Sequence, residues 1–196
     1  MTVPTGYQTF NKPEWKNLSG KLSASSQPGY DSRNEALDLK YVKELQEGKS
    51  IEEVGIDKEL LDSLDSLYKD GVRTIYSLAH FPGDRNPELL KHIWENRYKD
   101  NVHPTTYITE IDGVNTGIKD FQAPSQAQLE KISNDALARV AKGEHVLVHC
   151  GAGKGRTGTV LTAIQMFAQR QYNPRAAELE MKDNYQKGLV LSLIHI

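Results

Sequence analysis

Cysteine is almost absent from this chain of 196 residues, which contains only Cys150. A single cysteine excludes an intrachain disulfide framework, and it also excludes a zinc site built from several cysteines. A lone cysteine is most often a small buried hydrophobic residue. The residues around Cys150 must therefore decide whether this thiol carries chemistry.

A strong charge of one sign and long apolar runs are also missing. The 24 Lys and Arg against 26 Asp and Glu give a net charge of -2, so nothing attracts the chain to nucleic acid or to an anionic membrane. No run approaches the ~18 apolar residues of a membrane span, and the N-terminus lacks the basic and then apolar order of a signal peptide. We therefore expect a cytoplasmic protein, or one exported by a route that leaves no simple N-terminal signature, without a nucleic-acid partner or an integral membrane segment. We also expect a monomer.

Helix and strand patterns alternate along the chain. Helices are predicted at 34–47, 87–98, 125–141, 157–171 and 174–185, and one more begins at the cap Asp57 and ends before Gly71. Strands are predicted at 72–78, 105–111 and 145–149, with one short strand in 1–33. A loop is predicted at 112–123. This alternation is typical of an α/β fold with a central, mostly parallel sheet flanked by helices. We expect a single domain over 1–196 that is loosely ordered in 1–20.

The last residues, 189–196, are abruptly apolar for a chain end. Two interpretations stay open: the tail packs on the core, or it is not native, since 191–196 resembles translated sequencing adapter. No functional prediction depends on this tail.

The residues after the predicted strand 145–149 form a glycine-rich loop. Three of the five residues between Cys150 and Arg156 are glycine. Glycine accepts positive φ and lets backbone amides approach a ligand closely, so several N–H groups can point at one anion. The N-terminus of the helix predicted from Thr157 directs its dipole to the same place. We therefore predict a phosphate cradle formed by Gly151, Ala152, Gly153, Lys154, Gly155 and Arg156.

Cys150 stands at the floor of this predicted cradle. The amide dipoles, the helix terminus and Arg156 all favour its thiolate, which is the nucleophilic form of cysteine. Arg156 offers a planar fork that matches two phosphate oxygens. We expect Thr157 to donate its hydroxyl to the sulfur when a covalent intermediate breaks, and His149 to point away from the phosphate and order the loop backbone.

Two other glycine motifs do not fit the loop. A Walker A loop requires glycine where Val148 stands and Ser or Thr where Gly155 stands. A dinucleotide-binding fingerprint requires glycine at the position of Arg156. The loop is therefore not interpreted as a nucleotide-binding motif.

The ten residues from His149 to Gly158 match the signature of the protein tyrosine phosphatase superfamily: His-Cys, five residues, Arg, then Ser or Thr. The motif lies near the C-terminal end of a short chain, which resembles the compact dual-specificity branch. The segments 22–29 and 71–78 are similar to two sheet strands of that branch. The resemblance implies a cysteine-phosphatase fold, a phosphocysteine intermediate, a phosphorylated protein as substrate, and neither a metal nor another cofactor.

A general acid must protonate the leaving group of a phosphate monoester. The resemblance implies an aspartate on a loop upstream of the cysteine. Asp120 fits, because it precedes Cys150 by 30 residues and is followed by Pro124. We predict Asp120 as the acid, with Asp112 as the alternative and Asp84 as the third candidate.

The substrate class stays open within this chemistry. Phosphoinositide phosphatases of the superfamily often carry a lysine at the position of Lys154 and another directly after the cysteine, where this chain has Gly151. We favour protein tyrosine or dual-specificity activity and keep a phosphoinositide or inositol phosphate as the alternative substrate. A catalytically silent phosphate-binding module is a further hypothesis, but Cys150, Arg156 and Thr157 argue against it. Sulfur transfer and arsenate reduction, which share only the cysteine-to-arginine spacing, come last.

Overall fold

The computed structural model describes residues 4–10, 19–99 and 104–172. The predicted helix 174–185, the tail 189–196 and much of the segment 1–20 lie outside these ranges. The strands are β1 (Gln8–Phe10), β2 (Lys21–Ser25), β3 (Thr74–Ser77), β4 (Thr106–Ile108), β5 (Glu110–Ile111), β6 (Val114–Asn115) and β7 (His145–His149). The helices are α1 (Glu35–Gln46), α2 (Ile51–Val54), α3 (Lys58–Lys69), α4 (Pro87–Arg97), α5 (Gln126–Ala141) and α6 (Gly155–Tyr172).

Within the described residues, five strands form one sheet in the order β1-β2-β7-β3-β4. β2, β7, β3 and β4 run parallel, while β1 pairs antiparallel with β2. The predicted α/β fold with a mostly parallel central sheet is therefore confirmed. The carboxyl ends of β2, β7 and β3 meet at one edge, because Ser25 and Ser77 both pair with His149. Ligand sites of parallel sheets lie at this kind of edge.

Helices cover both faces of the sheet. On one face, α1, α3 and α4 pack against Ile75 of β3 and Leu147 of β7. On the other face, α5 and α6 pack against Tyr76, Val146 and Val148. Alternate residues of β7 thus enter two separate cores, as the period-two geometry of a strand requires. Burial on both faces explains why β7 is apolar along its centre.

Capping side chains fix where the longer helices begin. Asp57 accepts the backbone N–H of Leu60 at 2.8 Å, and Ser125 and Gln128 form a capping box at the start of α5. The helices predicted in these regions and at 34–47 and 87–98 are observed within one or two residues of their predicted ends. None of the described helices is long and apolar enough to cross a membrane.

Short elements are where the sequence-based expectations were incomplete. Two strands, β1 and β2, lie in 1–33 instead of one, because the three residues of β1 pair with the free edge of β2. The four-residue helix α2 was not expected, although Ser50 and Glu53 form a capping box there. The expected loop at 112–123 begins inside a hairpin, β5–β6, whose turn residues Asp112 and Gly113 both have positive φ (48° and 78°).

Candidate active site

The site is built where β7 ends and α6 begins. Cys150 directly follows β7 and is only 2% exposed. Backbone hydrogen bonds fix the loop after it: the N–H of Gln27 donates to the carbonyl of Gly151 (2.8 Å), and the N–H of Gly158 donates to the carbonyl of Lys154 (2.8 Å). Helix α6 already begins at Gly155, two residues earlier than predicted, so its N-terminus forms part of the loop itself.

Gly153 has both a conformation and a position that favour glycine. Its φ is +73°, and an added Cβ would lie 2.4 Å from the backbone nitrogen of Ser26. An added Cβ at Gly155 would meet no described heavy atom within 4 Å. An added side chain should therefore disturb the loop at Gly153 but not at Gly155.

We expect Gly153→Ala to lower the free energy of unfolding by about 2 kcal/mol or more, because positive φ and a backbone clash act together. Gly155→Ala is the matched control in the same loop, and its effect should stay within ~1 kcal/mol. Urea unfolding of both variants measures the difference. Equal losses in the two variants would contradict this conformation of the loop.

His149 is fully buried and points into the protein. A carbonyl can only accept, so Nδ1 of His149 donates to the carbonyl of Cys150 (3.0 Å). Nε2 then accepts the hydroxyl of Tyr107 (2.9 Å). Burial lowers the pKa of His149 from 6.5 to about 4, so the ring is neutral at physiological pH. His149 therefore fixes the backbone at Cys150 and carries no charge.

The lowered pKa of His149 predicts a loss of stability in acid. Between pH 6.5 and about 4 the unfolded chain binds a proton at this residue that the folded protein does not. Stability is therefore complete above pH 6.5 and falls towards pH 4, by roughly 3 kcal/mol from this residue. Unfolding curves for the wild type and His149→Asn across this pH range measure how much of the loss in the free energy of unfolding comes from His149. A stability difference that stays constant with pH would overturn the buried, neutral assignment.

Arg156 is held by two carboxylates and a carbonyl. Its Nη1 donates to Oδ2 of Asp84 (2.6 Å) and to the carbonyl of Ile118 (2.9 Å), and its Nη2 donates to Oδ1 of Asp84 (3.1 Å). Nη2 also lies 3.3 Å from Oδ1 of Asp120. Burial alone would lower the pKa of Arg156, but the Asp84 hydrogen bonds and the negative charges of Asp84, Cys150 and Asp120 together raise it. Among the described residues, the Nε–H and one Nη2 hydrogen are not donated in a hydrogen bond, so both can turn to a phosphate.

Asp84, the third candidate for the acid, is the buried partner of Arg156. Its Oδ2 also accepts the backbone N–H of His80 (2.8 Å), and its Oδ1 lies 2.0 Å from where a Cβ on Gly151 would stand. Both oxygens accept hydrogen bonds, so neither is placed to carry a proton to a leaving group. A bidentate carboxylate of this kind instead fixes the plane of the guanidinium, which makes Asp84 a positioning residue.

We expect Asp84→Asn to lower kcat/KM by roughly 10- to 100-fold, because one charge-assisted hydrogen bond to Arg156 is lost. The loss should be similar for good and poor leaving groups, since Asp84 carries no proton to them. Steady-state kinetics with a series of aryl phosphates measures this. A loss that grows steeply as the leaving group becomes poorer would make Asp84 the acid.

Asp120 and Asp112 have different partners. The side chain of Asp120 is 63% exposed and reaches Arg156 from the loop between β6 and α5. Its Oδ1 also accepts the N–H of Phe121 (3.1 Å), while Oδ2 accepts no hydrogen bond from the described residues. Asp112 lies in the β5–β6 turn and pairs with Nζ of Lys131 at 2.7 Å. The structure therefore places Asp120 beside Arg156 and holds Asp112 in a separate ion pair.

Two residues that sequence reasoning missed fix the segment that carries Asp84. The side-chain amide of Gln27 donates to the carbonyl of Arg85 (2.8 Å) and accepts its N–H (2.7 Å). Arg85 is 1% exposed, and its Nη1 donates to Asp57 at 2.8 Å. These contacts join segments that are far apart in the chain, so no local sequence pattern predicts them.

The remaining predicted residues differ in exposure. Ala152 and Lys154 are exposed, whereas Thr157 is buried. The Oγ1 of Thr157 has no hydrogen-bond partner among the residues that the structure describes, and a buried hydroxyl without a partner requires an explanation. In the same described ranges, no group of three or more His, Cys, Asp or Glu could hold a metal ion.

Two solved structures are similar to this chain. Kinase-associated phosphatase, in a crystal structure whose catalytic-site cysteine is replaced by serine, superposes with a TM-score of 0.50 at 13% identity, over 93% of this chain and 85% of that chain. Tk-PTP in its active form gives a TM-score of 0.39 at 18% identity, over 88% of this chain and 98% of that chain. The first of these likenesses shows a shared fold. No curated protein sequence matches the chain.

A family model supplies the evidence from sequence. The model described as "Polymorphic toxin system, DSP-PTPase phosphatase" matches residues 48–169, which is more than half of the chain. The matched region runs from before α2 into α6 and contains Asp84, Asp120, Cys150 and Arg156. The superfamily and the dual-specificity branch predicted from the signature are therefore confirmed: this chain belongs to the DSP-PTPase phosphatases of polymorphic toxin systems.

Proposed function

We propose that this cysteine-dependent phosphatase hydrolyses phosphoprotein monoesters through a phosphocysteine on Cys150, with Arg156 as the phosphate clamp and Asp120 as the general acid and base. One observation carries the proposal. The guanidinium of Arg156, six residues after Cys150, lies 3.3 Å from Asp120. This contact supports the assignment, because it brings the proposed acid, on the loop between β6 and α5, to the arginine that would hold the phosphate.

In the first step, the thiolate of Cys150 attacks the phosphorus and forms the S–P bond as the ester P–O bond breaks. Asp120 gives its proton to the departing oxygen, so the alcohol leaves neutral. The Nε–H and Nη2–H of Arg156, with the amides of the loop, stabilise the charge spread over the phosphoryl oxygens.

In the second step, water attacks the phosphorus and the S–P bond breaks. The carboxylate of Asp120 takes the proton of the water, and inorganic phosphate is released. We propose that the buried hydroxyl of Thr157, which has no partner among the described residues, turns to the departing sulfur and stabilises its negative charge. His149 holds the backbone of Cys150 throughout and exchanges no proton.

An aryl phosphate such as phosphotyrosine is the substrate that the surroundings of Asp120 favour. Phe121, the next residue, is 86% exposed and has a φ of +60°. A large aromatic side chain with this exposure packs against little of the protein, and we propose that it contacts the substrate. Stacking against an aryl leaving group would place the ester oxygen within reach of Asp120.

Other substrate classes have weaker support. The family match favours protein phosphatase activity over a phosphoinositide substrate and over a silent phosphate-binding module. Lys154 remains an exposed cation on the loop, which suits any phosphorylated substrate. The family's link to toxin systems supports an effector that removes phosphates from proteins in the cytoplasm of a target cell, where thiols stay reduced.

We also propose a single domain that acts as a monomer. β2 lies outside the region matched by the family model, yet it pairs along its whole length with β7. Cys150, Arg156 and Asp120 all come from the same chain, so the proposed chemistry needs no second copy.

Phosphate release from a phosphotyrosine peptide, a phosphoserine peptide and a phosphoinositide tests the substrate assignment. We expect the phosphotyrosine peptide to have the highest kcat/KM, and Phe121→Ser to lower that value by roughly 10-fold while changing the phosphoserine value little. Leu39→Ser, which alters another exposed apolar side chain (49% exposed) on α1, should change neither. Highest activity on the phosphoinositide would contradict the assignment.

A further inference from the structure

Arg33 is an exposed arginine whose side chain is nevertheless fixed. Its guanidinium carbon lies 3.8 Å from the ring centroid of Tyr30. Nη1 donates to the carbonyl of Tyr30 (2.7 Å), and Nε donates to the carbonyl of Gly83 (3.3 Å). An arginine held over a ring and by two carbonyls loses less rotamer freedom when it binds a ligand than a free surface arginine does.

The ring that carries Arg33 belongs to the wall of the proposed phosphate site. An added Cβ on Gly151, the residue after Cys150, would lie 2.8 Å from Cε2 of Tyr30. Gly83, the second anchor of Arg33, directly precedes Asp84, which binds Arg156. Arg33 therefore contacts Tyr30, which lies beside Gly151, and Gly83, whose neighbour Asp84 binds Arg156.

No carboxylate among the described residues pairs with Arg33. Arg156 faces two carboxylates, but within the described ranges Arg33 forms no ion pair, and its partners are neutral carbonyls. The exposed carboxylates nearest to it along the chain are Asp31 and Glu35, and neither pairs with it. Both Nη2 hydrogens and one Nη1 hydrogen remain for a ligand, and a planar guanidinium matches an oxyanion.

We propose that Arg33, supported by Tyr30, is a second anion subsite that binds a phosphate or carboxylate of the same phosphopeptide whose phosphotyrosine occupies the Cys150 loop. This inference rests on the proposed function and names its substrate class more closely: doubly phosphorylated or acidic peptides. Such peptides bind more tightly because their second anion contacts the guanidinium of Arg33, which is held in place. The preference therefore lowers KM, and it weakens at high salt because salt screens the charge.

The test compares phosphotyrosine peptides that are identical except for a neighbouring residue, which is serine, phosphoserine or glutamate, placed one or two positions before or after the phosphotyrosine. We expect kcat/KM for the best phosphoserine-containing peptide to exceed that of its serine counterpart about 10-fold, because its KM is lower while kcat is unchanged. Arg33→Gln should reduce this ratio to near 1, while Arg33→Lys, which keeps the charge but not the planar fork, should retain part of it. Lys40→Gln, which removes a charge from the exposed face of α1, should leave the ratio unchanged.

The outcomes separate the two proposals. The subsite would be overturned, and the phosphatase assignment left intact, by either of two results. One is an equal KM for the serine, phosphoserine and glutamate peptides at every position of the neighbouring residue. The other is a preference for the phosphoserine peptide that survives Arg33→Gln. A glutamate effect without a phosphoserine effect would also overturn the subsite, since a dianion should bind this cation more strongly. No release of phosphate from any peptide by the wild type would instead contradict the proposed function.

Discussion

Cys150→Ser should abolish phosphate release while phosphopeptide binding survives. We expect kcat to fall by roughly 10⁴-fold or more, because a serine hydroxyl at this position has no adjacent base to activate it: His149 is turned away, and its Nε2 accepts from Tyr107. The cradle amides and Arg156 are unchanged by the substitution. Calorimetric titration of a phosphotyrosine peptide into the variant should therefore still show binding.

The unfolding midpoint of Cys150→Ser provides its control. The thiol is buried and free, so a smaller hydroxyl changes the packing only slightly. An inactive variant that also unfolds would be uninformative about chemistry, whereas a folded variant with more than one-tenth of the wild-type kcat would exclude Cys150 as the nucleophile.

Asp120→Asn should give the second-largest loss. We expect kcat to fall by roughly 10²- to 10³-fold for phosphates of poor leaving groups, because the amide cannot supply the proton. Substrates with good leaving groups should be affected far less in the first step. The alkaline fall in rate, which reports loss of the acid's proton, should flatten in the variant. A series of aryl phosphates measured across pH provides both readouts.

Asp112→Asn is the matched control for the acid. It makes the same chemical change on the same stretch of chain but disrupts only the ion pair with Lys131. We expect a nearly unchanged rate profile. A flattened alkaline limb in Asp112→Asn, with a normal limb in Asp120→Asn, would move the acid to the hairpin turn.

The strand, loop and helix that carry Cys150 and Arg156 could be predicted from sequence, because they follow one another along the chain. That this loop binds phosphate stays a prediction, which rests on the glycines and the helix N-terminus. The longer helices were predictable for a similar reason, since the caps Asp57 and Ser125 act within three residues.

Asp84 could not be assigned from sequence because its role depends on a contact across 72 residues. Nothing in the run from His80 to Asp84 reveals that the carboxylate is buried against Gly151. The same holds for Gln27, whose partner Arg85 lies 58 residues away. Strands of two or three residues, such as β5 and β1, are too short for alternation to be recognised, although the Asp112-Gly113 turn was a usable hairpin signal.

The most direct test is to trap the covalent intermediate. We propose mixing the enzyme with a ³²P-labelled phosphotyrosine peptide, quenching in acid within milliseconds and mapping the label by mass spectrometry. We expect a thiophosphate on Cys150 that is absent in Cys150→Ser and accumulates when Thr157→Ala slows the release of the sulfur. Turnover without a labelled protein, or a label on His149 or another side chain, would contradict cysteine-based catalysis by this loop.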